Sequence, residues 1–588
     1  MKNMWFIKLF FLCFALFPVF GNAEKPVVDS EKIVLLTDRA VYIAGENLLY
    51  NLFLLDSQKK SLASYPSIGY VTVRDKDGSI VGISQVKITN GKADAGIYLP
   101  DTLKTGYYQV AAYTNFMRNG LEVNFGVQTI IIANRFDANF FGLFQNEEQE
   151  GYSGILGYGD SHLSDTIVRN SMESANILVV TSNQSVYKRR EKVTLKIEPT
   201  LNLDQPIDLA ISVVEENRFE NRQQLLNTTE PLTICNAKLS EITNTQDYLA
   251  EDKYQVLRGK VKNINNGSGL PGRILYLSSP DTIANLQYAV TNPLGYFRFP
   301  MSDYYNGREL FIKVADSKPD DAYEIEIDSK FNAKLSFSPP AFKVDSSFIY
   351  YLTRSQEVVR VRKSYEQIPF VLDPVVYNQI IPRVYYKADF RVYPSDYTEL
   401  ADFVEIAREI LPPFKVRKNN NEYQGEMFDY DKKTFLKHEP MIFLDGVLAD
   451  NISEVIGLGT SDIKKIDLLA SEWVFGELTL PGVIAINSSK EAWRNVPYPK
   501  NNIRLKTESY FKTPGAKGPD YSIVPVGSRE PDFRQLLYWA PSVRLIGNAP
   551  VYVEFYTSDY AAPYTIKVTG IGPDGRHIKA NTRIEVVE

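Results

Sequence analysis

Cysteine and histidine are nearly absent from this 588-residue sequence, which contains two cysteines and three histidines. Cys13 lies in an apolar run near the N-terminus, so Cys235 alone would remain beyond it, and a single thiol cannot form an internal disulfide. His162, His438 and His577 are far apart, and none has another His or Cys at metal-ligand spacing. We therefore expect no disulfide framework, no metal site and no cofactor.

Neither sign of charge dominates the chain. The 65 Lys and Arg residues against 71 Asp and Glu residues give a net charge of −6. Because nucleic acid and anionic membrane surfaces attract basic proteins, we expect no nucleic-acid partner. Apolar residues make up 44% and charged residues 23% of the chain, as in folded proteins. At about 100 to 200 residues per domain, this length predicts several domains.

Long apolar runs are missing except at the start of the sequence. Lys2 and Lys8 precede the apolar stretch 9–20, and Gly-Asn-Ala at 21–23 places small residues where signal peptidase requires them. We predict a signal peptide over residues 1–23 and an exported protein. No later segment reaches the roughly 18 apolar residues of a membrane-spanning helix, so we expect no transmembrane span after cleavage.

Catalytic motifs are also missing. The sequence has no Gly-x-Ser-x-Gly elbow, and the glycines at 151–159 are not followed by the Gly-Lys-Ser/Thr ending of a phosphate loop. Carboxylate pairs such as Glu215-Glu216 are interpreted as solvated charge, since acid-base catalysis needs a cleft and shifted pKa values. We expect no catalytic residue and therefore a protein that is not an enzyme.

Alternating apolar and polar residues, typical of strands, dominate what is present. Residues 31–56 predict strands around a Gly45 turn, and residues 70–85 predict a hairpin with Asp77-Gly78 at its turn. The clearest helix is predicted over 397–411, where apolar residues recur at helical spacing before two prolines. The predicted fold class is mainly β: a multidomain string of β-sandwiches with one small α+β domain.

A partial repeat connects two of the predicted sandwiches. The stretch TDRAVY at 37–42, with Glu46, is echoed by TSNQSVY at 181–187, with Glu191. Alternating strand residues follow both copies. Aligned on their first threonines, the copies differ by one residue in spacing, and we interpret them as two related sandwiches.

Two stretches resemble known β-sandwich families. TDRAVYIAGENLLYNLFL, with Tyr42, Gly45 and Glu46, resembles the second macroglobulin domain of the macroglobulin family. The unit that opens at Tyr254 resembles a carboxypeptidase-regulatory-like sandwich, in residues spread over 259–299. These residues are Gly259, Val261, Gly295, Phe297 and Phe299. The resemblances imply immunoglobulin-like or macroglobulin-like sandwiches for these parts of the chain.

Residues 440–490 are similar to the plug domain of TonB-dependent receptors. The similarity lies in Leu444-Asp445-Gly446-Val447 and in the apolar stretches 463–468 and 482–486. The order of the units resembles Gram-negative envelope proteins that carry macroglobulin-like sandwiches and a receptor-type plug. The Asp-Gly pair also fits a purely structural role in a tight turn, where Gly takes the left-handed conformation.

Together these features predict a division of the chain into eight segments. They are a signal peptide (1–23), a macroglobulin-like sandwich (24–134), a linker (135–172), a second macroglobulin-like sandwich (173–253), a carboxypeptidase-regulatory-like sandwich (254–345), an extended connector (346–395), a plug-like α+β domain (396–490) and a C-terminal sandwich-like domain (491–588).

The sequence differs from these families in two features, and the differences limit what the resemblances imply about function. A thioester macroglobulin needs a Cys-Gly-Glu-Gln run, whereas Cys235 stands in Ile-Cys-Asn-Ala and is expected to be a buried structural thiol. Too few residues follow Lys490 for a barrel of about 22 strands of roughly 10 residues each. We therefore expect this chain to form no pore of its own.

The sequence predicts an exported, non-enzymatic binding or scaffold protein of the Gram-negative envelope, either periplasmic or associated with the outer membrane or cell surface. Its expected partner is an envelope protein such as an outer-membrane β-barrel, contacted through sheet edges and the plug-like domain. The candidate partner-binding residues are Asp445, Gly446, Lys464 and Lys465. Two alternatives stay open: an accessory subunit of a TonB-dependent transport or outer-membrane assembly machine, and a protease-binding inhibitor without a thioester.

Overall fold

A computed structural model describes most of the chain. The described residues are 31–137, 177–216, 248–335, 353–365, 373–375 and 380–588, without 58, 60, 121–123, 135, 316–321, 334, 355, 362–363, 420–421, 496–500, 513–514, 524–529, 573–574 and 576. The predicted signal peptide, the predicted linker beyond residue 137, and Cys235 lie outside them. In this part of the chain, no helix combines the length and the apolar character needed to cross a membrane.

Sandwich 1 is built from residues 31–133, and it confirms the hairpin predicted around Asp77-Gly78. One sheet contains β1, β3, β4 and β7, and the other has the order β2-β9-β8-β5-β6. Tyr50 and Tyr70 are fully buried in the core between them. The strands are β1 (Glu31–Thr37), β2 (Val41–Ile43), β3 (Asn47–Asp56), β4 (Ser61–Leu62), β5 (Ser67–Arg74), β6 (Ile80–Ile88), β7 (Lys92–Tyr98), β8 (Gly106–Thr114) and β9 (Gly126–Ala133).

Four strands follow the predicted linker. They are β10 (Leu178–Ser182), β11 (Val186–Tyr187), β12 (Lys192–Pro199) and β13 (Leu203–Glu215). Their apolar residues, such as Leu195, Ile197 and Ile211, are fully buried. Because β13 has a neighbouring strand on both edges and neither belongs to this segment, other parts of the chain must complete the fold.

Sandwich 3 begins at residue 255. Its sheets have the orders β17-β14-β19 and β16-β15-β18. Phe297 and Phe299, two residues of the sequence resemblance, are buried in its core with ring centroids 5.6 Å apart. Its strands are β14 (Gln255–Asn263), β15 (Ile274–Ser278), β16 (Gln287–Val290), β17 (Tyr296–Met301), β18 (Glu309–Val314) and β19 (Tyr323–Ile327).

After a short strand, β20 (Asp373–Pro374), the chain forms a mixed unit, here the α+β unit, between residues 390 and 488. Its main sheet has the order β21-β27-β30-β25-β26, with β25 parallel to β30. The elements are β21 (Phe390–Val392), α1 (Phe403–Ile410), β22 (Phe414–Asn419), β23 (Glu422–Asp429), β24 (Thr434–Phe435), β25 (Met441–Leu444), β26 (Val447–Leu448), β27 (Ile463–Leu469), β28 (Trp473–Phe475), β29 (Leu478–Leu480) and β30 (Val483–Ser488).

The helix of this unit is shorter than predicted. The sequence predicts a helix over 397–411, but α1 begins at Phe403. Asp402 is its N-cap, because the side chain accepts a hydrogen bond from the backbone N–H of Glu405 at 2.9 Å. Before the cap, the backbone N–H of Leu400 donates to Thr460 Oγ1 at 3.1 Å instead of to a helical carbonyl.

The final strands return to the earlier sandwiches. They are β31 (Ile503–Lys506), β32 (Phe511–Lys512), β33 (Ala516–Lys517), β34 (Leu536–Gly547), β35 (Val551–Tyr556), β36 (Pro563–Ile571) and β37 (His577–Val586). Strand β31 extends sandwich 3 beside β18, and β32 pairs with β20. Strands β33–β37 join β10–β13 in two sheets, with orders β10-β12-β35 and β11-β37-β36-β13-β34-β33. We call this assembly sandwich 2.

Sandwich 2 differs from the predicted separation into domains 173–253 and 491–588. Strand β13 lies between β34 and β36, so its two neighbours come from the end of the chain. Local alternation of apolar residues shows that a strand is half-buried but not which strand covers it. The sequence therefore gave no sign that the two segments form one core.

Sandwiches 1 and 2 have the same strand order. The series β1-β3-β7 corresponds to β10-β12-β35, and β2-β9-β8-β5-β6 corresponds to β11-β37-β36-β13-β34. In sandwich 1, β5 and β6 are joined by the Asp77-Gly78 turn. In sandwich 2, the corresponding strands β13 and β34 are joined through sandwich 3 and the α+β unit. Exposed hairpin turns are the positions at which proteins best tolerate an inserted domain.

The repeat seen in the sequence forms the same hydrogen-bond network in both sandwiches. Tyr42 donates its OH to Asp38 Oδ1 at 2.6 Å, and Tyr187 donates to Asn183 Oδ1 at 2.8 Å. In each copy this oxygen also accepts from a backbone N–H eleven residues later, at 2.9 and 2.7 Å. Asn183 therefore corresponds to Asp38, and the spacing mismatch disappears when Thr37 is aligned with Ser182 rather than Thr181.

Candidate functional site

The Asp445-Gly446 turn joins β25 to β26 in the α+β unit. Both residues have positive φ, 48° and 83°. The Asp445 carboxylate accepts hydrogen bonds from the backbone N–H of Ser488 at 2.6 Å and from its hydroxyl at 2.7 Å. The Asp445 N–H donates to the carbonyl of Ile486 at 2.8 Å. These bonds fix the turn to the end of β30, as expected for its structural role.

The same turn contacts sandwich 3. The backbone N–H of Asp281 donates to the carbonyl of Asp445 at 2.8 Å, and the N–H of Leu448 donates to Ser278 Oγ at 3.1 Å. A Cβ atom at Gly446 would lie 2.7 Å from the Asp281 nitrogen and 2.8 Å from the Ser279 carbonyl oxygen. Only glycine fits this approach. Two of the four candidate partner-binding residues thus form an internal joint between units of the same chain.

The two candidate lysines are neighbours on β27, where the register with β30 shifts between Ile463 and Lys465. Lys465 is half-buried and forms an ion pair with Asp467 at 3.1 Å. Burial of Asp467 disfavours its charge, but hydrogen bonds from Arg391 and Lys465 outweigh burial and lower its pKa. Lys464 is exposed and faces a cleft beside the joint. The structure therefore separates a structural lysine from an accessible one.

The cleft lies between sandwich 3 and the α+β unit and has a volume of about 420 Å³. Its position follows from the joint, because the Asp445-Gly446 turn holds the two units together along one side. Six of its lining residues determine its character: Asp281, Arg308, Asp445, Lys464, Trp493 and Arg494. Asp445 and Lys464, two of the residues that sequence analysis selected, are thus brought together at one site, whereas Lys465 is not.

Most charges of the cleft are paired within the protein. Arg308 NH1 lies 2.9 Å from Asp281 Oδ2, which also accepts from the OH of Tyr304 at 3.0 Å. Arg494 pairs with Glu491 at 2.6 Å. Lys464 forms no ion pair with any residue in the described part of the chain, and the Asp445 carboxylate is held by the donors of Ser488 rather than by a cation. The cleft therefore presents an accessible cation in a setting of otherwise balanced charge.

Trp493 forms the rigid floor of the cleft. Its side chain is buried, and its ring meets Phe311 of sandwich 3 edge-on, with centroids 5.6 Å apart. The guanidinium groups of Arg494 and Arg504 lie 4.7 and 5.2 Å from the centre of the same ring. Cations over a Trp face are stabilised by its quadrupole. These contacts fix Arg494 on the lining of the cleft and Arg504 beside it.

Sequence analysis missed Asp281, Arg308, Trp493 and Arg494. They come from segments that meet only through the packing of sandwich 3 on the α+β unit, and no local pattern connects them. The one available signal was the Ser488-Ser489 pair at the end of the buried strand β30, because polar residues at a strand end often lie at a site.

The chemistry of the cleft is set by the polar and charged side chains on its lining. Its lining contains no histidine or cysteine. Over the described ranges, no group of three or more His, Cys, Asp and Glu side chains is placed to hold a metal ion. What the lining offers is an exposed amine, several hydroxyls and paired charges around an aromatic floor.

No protein-family model matches the chain, and neither does any curated protein. Among solved structures, a Salmonella alpha-2-macroglobulin variant has a TM-score of 0.23 and 9% identity, over 95% of this chain and 40% of that one. Native Escherichia coli alpha-2-macroglobulin has a TM-score of 0.23 and 9% identity, over 97% and 40%. The Escherichia coli adhesin FdeC has a TM-score of 0.12 and 11% identity, over 51% and 64%.

This chain spans about 40% of the length of these macroglobulins. Likenesses as remote as these carry no inference about function, which has to rest on the cleft itself.

Proposed function

We propose that this chain is an exported, non-enzymatic binding protein of the bacterial envelope, periplasmic or associated with the outer membrane, and that it holds a protein partner in the cleft between sandwich 3 and the α+β unit. The observation that carries the proposal is Lys464, an exposed cation on the wall of a cleft of about 420 Å³ whose other charges are largely paired. An acidic side chain of the partner is the group that Lys464 would bind.

Packing between the units supports a preformed site. Phe311 of sandwich 3 is 4% exposed and lies in the same apolar cluster as Trp493 and residues of the α+β unit. A second cluster joins Leu286 to Phe443 across the same interface. Because a preformed site needs little ordering when the partner binds, more of the contact energy appears as affinity.

The Asp445-Gly446 pair has a different role in this proposal from the one that the sequence suggested. The turn contacts the protein's own sandwich 3 and so builds the cleft, while the contact with the partner falls to Lys464 and its neighbours. The receptor-plug resemblance is consistent with a folded module used as a joint.

Site-specific photo-crosslinking tests the proposal. A photoreactive amino acid at Ser489, which lines the cleft, should crosslink one defined protein in intact envelopes. The control is the same group at Lys437, which is exposed on the same unit and does not line the cleft. Lys464→Glu should reduce the crosslink from position 489 about tenfold, since loss of a charge-assisted contact costs about 1.5 kcal/mol or more.

Equal crosslinking from positions 489 and 437, or a crosslink from 489 that Lys464→Glu leaves unchanged, would show that the cleft is not the binding site. The identity of the crosslinked protein decides among the roles. An outer-membrane protein indicates an accessory subunit, and a protease indicates an inhibitor.

A further inference from the structure

A second recess lies between sandwich 1 and sandwich 3, and its residues are different from those of the cleft. It is rich in cations: Arg118 comes from sandwich 1, while Arg258 and Arg298 come from sandwich 3 and Lys330 follows it. Asp328 is the one carboxylate on its lining. The recess is small, about 20 Å³, so it has room for a single chemical group rather than for an extended ligand.

Two of these arginines face each other directly. Arg258 on β14 and Arg298 on β17 are partners in the antiparallel register of the sheet. Like charges in directly opposite positions destabilise a pair of strands. Arg258 is partly compensated, because its Nε lies 3.2 Å from Asp328 Oδ2. Arg298 is exposed and, in the part of the chain that the structure describes, forms no ion pair.

A tyrosine holds two of the guanidinium groups in position. The guanidinium of Arg118 lies 3.9 Å from the centre of the Tyr248 ring, and that of Arg258 lies 5.7 Å from it. Arg118 also donates to Asn115 Oδ1 and to the carbonyl of Ser329, both at 3.1 Å. These oxygens are neutral, so Arg118 is fixed without being neutralised.

The recess therefore keeps an excess of positive charge. Lys330 is paired with the buried Glu251 at 2.9 Å, and Arg258 is paired with Asp328. Across the described residues, neither Arg118 nor Arg298 has a carboxylate partner. Two positive charges remain on groups whose planar donors suit the oxygens of phosphate and sulfate. A concave surface with low-dielectric walls strengthens the field of such charges.

We propose that this recess binds a tetrahedral oxyanion, a phosphate or sulfate group, between Arg118, Arg258 and Arg298. The anion would neutralise the facing arginines and connect sandwich 1 to sandwich 3. Its source is either the free inorganic ion or an ester group at the end of a larger molecule such as a sulfated glycan. Both sources present the same oxygens to the recess.

Calorimetric titration and thermal unfolding of the full-length protein test this site. Inorganic phosphate, inorganic sulfate and a sulfated oligosaccharide are the probes, each compared with sodium chloride at equal ionic strength. Wild-type protein should show saturable binding. Arg298→Ala should weaken that binding about tenfold or more, because it removes one charge-assisted contact. Arg298→Glu should abolish it, and Arg273→Ala, at an exposed arginine of the same sandwich, should leave it unchanged.

A second signature separates the proposal from general salt effects, since sulfate and phosphate stabilise most proteins without a site. Without oxyanion, Arg298→Ala should melt at or above the wild-type temperature, because the repulsion with Arg258 is gone. With oxyanion present, the wild-type protein should melt at a higher temperature than Arg298→Ala.

Tighter binding of the oligosaccharide than of the free ions identifies an ester as the source, and equal binding identifies the free ion. If wild type, Arg298→Glu and Arg273→Ala show the same response to every probe, the recess is not an anion site.

Discussion

Tyr187 lies beside Val586 in a pair of parallel strands, although the two residues come from opposite ends of sandwich 2 along the chain. Tyr42 lies beside Ile132 in the corresponding parallel pair of sandwich 1. In both sandwiches the final strand closes the sheet against the short second strand. This relationship shows that β37 belongs to sandwich 2 rather than to a separate domain.

The first prediction concerns the closing strand. Ile584 on β37 is 1% exposed and belongs to the core of sandwich 2. Ile584→Ala should lower the free energy of unfolding of sandwich 2 by about 3 kcal/mol, through lost burial and a cavity. Ile546→Ala, on β34 where the side chain is 58% exposed, should cost less than about 0.5 kcal/mol. Urea unfolding monitored by tryptophan fluorescence measures both. Equal effects of the two substitutions would argue against the shared core.

The second prediction concerns the repeated network. Tyr42→Phe and Tyr187→Phe each remove a hydroxyl that donates to Asp38 or Asn183. Tyr42→Phe should cost about 1 to 2 kcal/mol, because the buried carboxylate of Asp38 loses a donor, whereas Tyr187→Phe should cost only about 0.5 to 1 kcal/mol, because Asn183 is exposed and water can replace the hydroxyl. Thermal unfolding provides the measurement, and Tyr98→Phe, at a tyrosine that is 53% exposed, is the control. A loss in only one of the two sandwiches would show that the copies are not equivalent.

The third prediction concerns the joint. Gly446→Ala should cost about 2 kcal/mol or more, since the left-handed backbone strains any other residue and the new Cβ would meet the backbone of Asp281. Hydrogen exchange of residues 278–283 should become faster, as the turn moves away from sandwich 3. Gly457→Ala is the matched control, because a Cβ there has no atom within 4 Å. Unchanged exchange in Gly446→Ala would contradict the joint.

The fourth prediction is a pH dependence. Burial, and secondarily the charge of Asp450, raise the pKa of Glu454 to about 7. The charged group nearest to the pair is Lys313, 2.8 Å from Asp450 Oδ1. An acid whose folded pKa lies above its unfolded pKa stabilises the protein fully below the unfolded pKa, and this stability is lost as the pH rises through about 7.

Between pH 5 and 8 the wild-type protein should therefore lose about 1 to 2 kcal/mol of stability from this group, after allowance for its partial exposure. Glu454→Gln keeps an oxygen for the N–H of Asp450 and should flatten the profile. Chemical unfolding at several pH values measures it. The control Glu399→Gln, at an exposed glutamate of the same unit, should keep the wild-type slope, and a steep slope in Glu454→Gln would contradict the assignment.

Local features of the fold were predictable, and long-range ones were not. Strand alternation, the hairpin at Gly78 and the repeat around Tyr42 and Tyr187 depend on residues close in sequence, and the structure contains them. The partnership of β13 with β34 and β36 depends on segments far apart, about which alternation says nothing. The predicted helix was too long because the apolar residues keep helical spacing before Asp402. In the structure Asp402 is the N-cap, so the helix begins only at Phe403.

In the candidate site, too, the local features were predictable from the sequence and the long-range ones were not. Asp445 and Gly446 were selected from a turn signature, and their contacts with Ser488 and Asp281 give that signature a structural cause. Lys464 and Lys465 could not be told apart from the sequence, because the register shift beside them is set by pairing with β30. Arg308 and Trp493 reach the cleft only through the packing of two units, so no reading of either segment alone would have selected them.

The insertion of two folded units into sandwich 2 also dictates an order of events during biosynthesis. Among the strands of sandwich 2, β10–β13 are synthesised first. Strand β13 has no neighbour on either edge until β34 and β36 have been synthesised. Closing so long a loop is entropically costly and slow unless sandwich 3 and the α+β unit fold first and bring its ends together. Until then the open edges of β13 could pair with other chains, so this protein should depend on a chaperone for longer than a string of independent sandwiches would.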